Sequence, residues 1–248
     1  MKDTAILEKK YRAIEDFTRR LLTSEVGDSI AKIVLFGSVL RGEASEESDI
    51  DLLIIALDVP GKVKEATSEA SFDTILELGE GVEPIVHCID DWRFPPSYLV
   101  YKVKREGKEI YGMDEQEIRR RESQAYSQLA EEYLEGAQRN LEARGYRIAI
   151  DVGYNAAELC AKALLLLRLT ELPRTHRGIV NKFSELYVKD GPLSKELGRR
   201  FNAGLNLRNQ ARYKPHARLG EDEAKEIIEV VQELHRALSA QLQLGEEE

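Results

Sequence analysis

The sequence changes character near Tyr111–Gly112, and this change constrains the fold more than any other feature. Before it, short apolar runs typical of buried strands alternate with stretches of helical periodicity. After it, apolar residues recur at helical spacing almost to the end of the chain. The chain has 248 residues, which is long enough for two cores, so we predict two domains, residues 1–112 and 113–248.

The first half alternates helices and strands, which predicts a small α/β domain. We expect strands over 32–36, 50–57 and 82–89, helices over 2–22, 62–78 and 97–105, and a terminal extended piece over 107–112. Pro84 has no amide hydrogen, so the third strand should lie at a sheet edge or begin there.

The second half is predicted to be an all-α bundle. Helices are expected at about 115–144, 147–169, 176–189, 194–213 and 221–242, with breaks at glycine and proline. The run "AAELCAKALLLL", residues 156–167, is apolar on most faces, so its helix should be central. Glu158 lies within this run and needs a partner there; an interhelical salt bridge is the favoured explanation.

Composition narrows the class of protein. A net charge of -9 argues against a general nucleic-acid coating protein, although a local basic groove stays possible. Cys88 and Cys160 lie in apolar stretches, which favours free thiols in a reducing compartment. The N-terminus has no signal-peptide core, and the longest apolar run is too short for a bilayer. We predict a cytoplasmic protein without a membrane partner.

The stretch "LFGSVLRGEASEESDIDLLII" carries the chemistry. Side chains alternate across a strand, so Asp49 and Asp51 should point to the same face, where their repulsion favours a bound divalent cation. Upstream, Gly37 and Ser38 stand where a strand turns into a helix, a place where backbone amides can meet phosphate. Arg41 lies one turn on and could donate to a phosphate. The set suits two-metal phosphoryl or nucleotidyl transfer.

A D-x-D pair at a strand end is by itself usually a solvated loop edge, and Gly-Ser alone is a turn. The joint pattern G-S-x-x-R-G-(x)6-D-x-D between two buried strands is far more specific. It is neither a calcium loop nor a P-loop, because it lacks the further ligands and glycine of the former and the Lys-Ser/Thr pair of the latter.

Residues 37–52 resemble the signature of the DNA polymerase β-like nucleotidyltransferases, in particular the minimal (MNT) branch. The resemblance implies a mixed sheet with helices, two Mg²⁺ ions held by Asp49 and Asp51, and triphosphate contacts at Gly37 and Ser38. The family adds a third carboxylate on a later strand, and Glu83 is the best match, as metal ligand or general base. His87 should share the strand face of Glu83, and a structural role is the favoured explanation for it.

The second half, from about residue 115 to 242, resembles the HEPN domain. Ribonucleases of that family carry Arg, often Arg-Asn, followed four to six residues later by His. Here Arg208 and Asn209 are present, but His216 follows only after seven intervening residues. In toxin–antitoxin relatives an MNT protein adenylylates a HEPN tyrosine, and Tyr213 is the candidate for such an acceptor.

These resemblances predict a Mg²⁺-dependent transferase that moves an NMP, with ATP the expected donor, to a hydroxyl acceptor. The acceptor stays open between a protein tyrosine, RNA and a small molecule. A homodimer is expected, because small transferase domains often need a second surface. The alternatives are a regulatory, toxin–antitoxin-type module that binds RNA or a protein partner with little or no catalysis, and a HEPN ribonuclease.

Overall fold

The computed structural model describes residues 2–57, 60–189 and 191–244. The chain divides into two compact units at Ile118/Arg119. The predicted domain boundary after Gly112 stays a proposal; it coincides with the end of the last strand of the first unit.

The first unit is built on a four-stranded mixed sheet in the order β3-β2-β1-β4. Its strands are β1 (Ile30–Phe36), β2 (Ile50–Ala56), β3 (Val82–Cys88) and β4 (Lys108–Gly112). β1 is antiparallel to β2 and β4, whereas β2 and β3 run parallel. Pro84 lies on the edge strand β3, where the missing amide hydrogen is tolerated, as the sequence predicts.

Helices cover both faces of this sheet. They are α1 (Lys2–Thr23), α2 (Gly37–Arg41), α3 (Pro60–Leu78), α4 (Ile89–Arg93) and α5 (Tyr98–Glu106). One core packs α1 and α3 against alternate residues of β2, including Ile50 and Leu52. The other packs Leu53 and Ile55 against Val100 and Val103 of α5. The short α4 was not predicted, because a single helical turn leaves little periodicity in a sequence.

The second unit is helical. Its helices are α6 (Glu115–Glu142), whose first four residues belong to the first unit, α7 (Tyr146–Leu166), α8 (His176–Phe183), α9 (Lys195–Tyr213) and α10 (Glu221–Leu244). α7 is buried along most of its length and contacts α8, α9 and α10, which confirms its predicted central position. After Phe183 the predicted continuous helix widens into π-helical turns over Ser184–Lys189.

The predicted fold class, a mixed sheet with helices followed by an all-α bundle, is confirmed. Both cysteines, Cys88 and Cys160, are free thiols. Within the described ranges, none of the helices has the length and apolar character needed to cross a bilayer.

Candidate active site

One end of the sheet collects the residues of the G-S…D-I-D pattern. β1 ends where β2 begins, because the two strands are antiparallel, and Phe36 therefore pairs with Asp51. β2 and β3 begin at the same end, because they are parallel, and Asp51 lies in register with Glu83. Two strand pairings thus bring Gly37, Asp51 and Glu83 to the same end of the sheet.

Asp49 stands in the loop just before β2, and Ile50 after it is fully buried. The Ile50 amide donates to the carbonyl of Gly81 at 2.9 Å. A Cβ atom on Gly81 would lie 2.3 Å from Oδ1 of Asp49, so this carboxylate lies directly against the backbone that leads into β3. Glycine permits this approach because it has no Cβ atom.

Gly37 makes the equivalent approach to Asp51. Its φ of +76° lies in the left-handed region, and a Cβ atom there would be 1.8 Å from Oδ2 of Asp51. Ser38 follows in the first turn of α2 and is partly buried. Gly42, with φ +73°, ends this short helix. The motif glycine Gly37 is therefore required both for the turn and for the contact with the carboxylate.

The electrostatics of the site centre on Asp51. Burial raises the pKa of Asp51, and the neighbouring charges of Glu83 and Asp49 raise it further, whereas Arg41 acts in the opposite direction. Arg41 is exposed, and its Nε donates to Glu43 at 2.7 Å. Three carboxylates against one guanidinium leave an excess of negative charge at this end of the sheet.

The donor set fits magnesium. Oxygen ligands are what Mg²⁺ prefers, and in nucleotide enzymes it takes one or two carboxylates together with substrate phosphates and water. Across residues 2–57, 60–189 and 191–244, no three carboxylate, imidazole or thiolate groups are arranged as a complete metal site. Asp49 and Asp51 suit ions whose remaining ligands come from a triphosphate. Glu83, the predicted third carboxylate, is in register with Asp51 but is exposed and does not complete a three-ligand group with the two aspartates in the described part of the chain.

His87 has a structural partner. It lies two residues beyond Ile85 on β3, and its Nδ1 is 2.8 Å from Oδ2 of Asp91. The contact from His87 lowers the pKa of Asp91. This pairing ties β3 to α4 and supports the structural explanation of the histidine.

The helical unit contains a second group of polar residues, on α9. Arg208 is buried, donates to Oδ1 of Asn209 at 3.2 Å, and has its guanidinium 5.9 Å from the ring centre of Tyr213. Tyr213 is exposed at the end of α9. His216 lies in the exposed turn after that helix, beyond the residues of α9 that can share a helix face with Arg208.

The histidine that contacts Arg208 is His176, at the start of α8, which sequence reasoning missed. Its Nε2 is 3.4 Å from a terminal nitrogen of Arg208, and its Nδ1 is hydrogen-bonded to the carboxylate of Glu158 on α7. The Nζ atom of Lys162 is 3.1 Å from Oε1 of the same Glu158 carboxylate. The signal for this cluster was Glu158 itself, a carboxylate in an apolar helix that needed a partner.

Two further groups border this cluster. Asp151 lies 3.6 Å from Nε of Arg208 and 3.0 Å from Arg212. The Tyr154 hydroxyl is buried without a hydrogen-bond partner, and burial, aided by the charge of Glu158, raises its pKa. The arrangement is a buried cation beside an imidazole that is oriented by a carboxylate, which is suited to binding an oxyanion and moving a proton.

Each half of the chain matches a known protein family. Residues 20–116 match the family model described as polymerase beta nucleotidyltransferase, and residues 123–241 match that of the HEPN domain. Two relatives from Methanocaldococcus jannaschii are each named "Putative protein adenylyltransferase". One is 36% identical over 83 residues, which cover 32% of this chain and 56% of the relative. The other is 50% identical over 67 residues, which cover 27% and 54%.

The chain thus spans about half the length of the curated relatives it matches. The two family models together account for most of the sequence, and they divide it where the sheet gives way to helices. Residues 20–116 therefore form a nucleotidyltransferase domain of the polymerase β family, and residues 123–241 form a HEPN domain.

Proposed function

We propose that this chain transfers a nucleoside monophosphate from an NTP to a hydroxyl acceptor in a Mg²⁺-dependent reaction, and that the transferred group is AMP. The observation that carries the proposal is the contact of Gly37 with the Asp51 carboxylate, beside Asp49 and in register with Glu83. The family of residues 20–116 supports the same chemistry.

In this mechanism the residues of the chain position the donor. The backbone at Gly37 and Ser38 receives the triphosphate, and Arg41 exchanges its pairing with Glu43 for a phosphate oxygen. Asp49 and Asp51 would hold Mg²⁺, which offsets the phosphate charge and makes the α-phosphorus a better electrophile. Glu83 accepts the proton of the attacking hydroxyl.

The acceptor oxygen forms its bond to the α-phosphorus as the bond to the bridging oxygen breaks, and pyrophosphate leaves. The relatives' printed names make a protein hydroxyl the first acceptor to test. Tyr213 is exposed and is the candidate within this chain, modified in cis or in a homodimer. RNA and small molecules are the other acceptor classes.

The test is label transfer from α-³²P-ATP with Mg²⁺, with the protein itself, total RNA and an aminoglycoside mixture as acceptors. Label on the protein that is lost in Tyr213→Phe identifies the acceptor. Absence of label, together with absence of metal-dependent ATP binding, would favour the regulatory module instead. Light scattering that gives a strict monomer at micromolar concentration would contradict the homodimer.

A second activity, cleavage of RNA, is supported by the cluster of Glu158, His176 and Arg208. Glu158 accepts from Nδ1–H of His176, so Nε2 is the basic nitrogen; it would exchange its contact with Arg208 for the proton of a 2′-hydroxyl. The 2′-oxygen then bonds to phosphorus as the bond to the 5′-oxygen breaks, the leaving 5′-oxygen takes a proton from water, and Arg208 stabilises the charge that develops on the phosphate oxygens.

This assignment separates two histidines. We expect cleavage of single-stranded RNA to be lost in His176→Asn and to persist in the matched control His216→Asn. Glu158→Gln should slow the reaction and shift its pH profile, because the imidazole loses its orienting carboxylate. Cleavage that survives in His176→Asn and disappears in His216→Asn would show that His216, the histidine predicted from the motif, is the base.

A further inference from the structure

A cavity of about 270 Å³ lies between α2 and α5 of the first unit, next to the candidate active site. Its lining includes Gly37, the residue that also touches the Asp51 carboxylate. Four of the other eight lining residues have apolar side chains, namely Phe36, Leu40, Leu99 and Val103, and three are charged, namely Arg41, Lys102 and Glu106.

The position of this cavity sets what can enter it. A triphosphate at Gly37 would have its α-phosphorus near Asp51, and the group attached to that phosphorus must leave in a direction with free space. The cavity offers such space at Gly37 itself. Its volume lies below the roughly 300 Å³ at which pockets for drug-sized ligands begin. The occupant is therefore a compact group rather than a polymer segment.

The apolar wall suits a flat ring. Leu99 is 40% exposed although it is apolar, and it lines the cavity together with Leu40 of α2. A ring placed against Leu99 would remove this apolar surface from water, which is favourable. Apolar side chains against the faces of a base are a common way to hold it.

The charged groups supply a donor and an acceptor side by side. Lys102 and Glu106 are four residues apart on α5, and their charged atoms are 3.9 Å apart, which is longer than a hydrogen bond. Both side chains are more than half exposed. Nucleobases present adjacent donors and acceptors along their edges, so this pair matches the edge of a base.

We propose that this cavity holds the nucleoside of the NTP, with Leu40 and Leu99 at its apolar wall and Lys102 and Glu106 at the base edge. α5 is then the element that determines which NTP is used. This inference rests on the proposed transferase function, and it adds the residues that recognise the nucleoside to those that hold the phosphates.

The test compares two ligands by calorimetry with Mg²⁺: ATP, and inorganic tripolyphosphate, which has no nucleoside. The variants are Leu99→Ala and Lys102→Met. Their matched controls are Tyr101→Ala and Lys104→Met, which are on the same helix and outside the cavity lining. We expect Leu99→Ala and Lys102→Met to weaken ATP binding about 5- to 50-fold, with tripolyphosphate binding unchanged and both controls like the wild type.

Glu106→Gln adds a donor where the carboxylate only accepts, so the order of affinities among ATP, GTP, CTP and UTP should change. The inference is overturned if the wild type binds tripolyphosphate as tightly as ATP, or if Leu99→Ala and Lys102→Met weaken both ligands equally or neither. If the wild type binds neither ligand, the transferase function itself fails, and the nucleoside site fails with it.

Discussion

Replacing Lys10 by methionine should destabilise the first unit and displace the loop that carries Asp49. The Lys10 side chain on α1 is only 2% exposed, yet its ammonium group donates to the Ser48 carbonyl and to the carboxylate of Glu80. Ser48 immediately precedes Asp49, and Glu80 immediately precedes the glycine that touches Asp49. One buried cation thus holds both chain segments that approach this carboxylate.

The magnitude follows from burial. Removing one partner of a buried ion pair costs about 3–5 kcal/mol, because the remaining charge stays desolvated. Here Glu80 keeps the ammonium group of Lys9 at 2.7 Å, so we expect the lower end, about 3 kcal/mol. Lys9 is 58% exposed, and Lys9→Met should therefore cost at most about 1 kcal/mol. Lys10→Met combined with Glu80→Leu should recover most of the loss, because no buried charge is left unpaired.

Urea denaturation measures these differences. Trp92 is the single tryptophan of the chain and lies in the first unit, so its fluorescence reports on that unit. Label transfer in the folded state should also fall in Lys10→Met while it persists in Lys9→Met. Equal destabilisation by the two single variants would refute the reasoning, since it would mean that burial does not determine the strength of the pair.

The ion pair of Lys10 and Glu80 also makes the stability of the first unit sensitive to acid. Burial by itself would raise the pKa of Glu80, but hydrogen bonds from Lys10 and Lys9 outweigh it and leave the pKa lowered. A carboxyl group with a lowered folded-state pKa stabilises the fold above its unfolded-state pKa, and this contribution is lost as the pH falls through the folded-state value. In Lys10→Met the loss of stability in acid should therefore be smaller than in the wild type.

Three further predictions concern single positions. Gly37→Ala should abolish NTP binding, because its Cβ would collide with the Asp51 carboxylate, whereas Gly42→Ala, with a similar φ and open space, should only cost about 1 kcal/mol of stability; calorimetry with an NTP separates them. Burial raises the pKa of the Cys160 thiol to about 12, so a thiol reagent at pH 8 should modify Cys160 only after unfolding, and fast native labelling of this residue would contradict its burial. Tyr154→Phe should stabilise the helical unit slightly, because its buried hydroxyl has no hydrogen-bond partner; a loss above about 1 kcal/mol in thermal unfolding would indicate an unrecognised bond.

Local sequence patterns predicted much of the fold. Runs of apolar residues marked β1, β2 and β3, and glycine and proline marked most helix ends, because these signals act over a few neighbouring residues. The position of α7 at the centre of its unit could also be read from its composition. The sheet order could not, because strand pairing depends on contacts between distant segments.

The same distinction applies to the candidate site. The prediction that Asp49 and Asp51 share a face uses only the alternation of side chains between neighbouring residues; in the structure Asp51 is on β2 and Asp49 is in the loop just before it. The register of Glu83 with Asp51 depends on how β3 aligns with β2. The contact of His176 with Arg208 depends on how α8 packs near α9, and the two residues are 32 positions apart. Motif spacing along the chain therefore points to the nearer histidine, His216.

The most direct test of the account is transfer of ³²P from α-labelled ATP in the presence of Mg²⁺, compared between the wild type and Asp49→Asn/Asp51→Asn. The account predicts label on a hydroxyl acceptor and release of pyrophosphate with the wild type, and neither with the variant, although its helical unit stays folded. Equal labelling by both proteins would show that the transfer does not depend on the two carboxylates and would contradict the central claim.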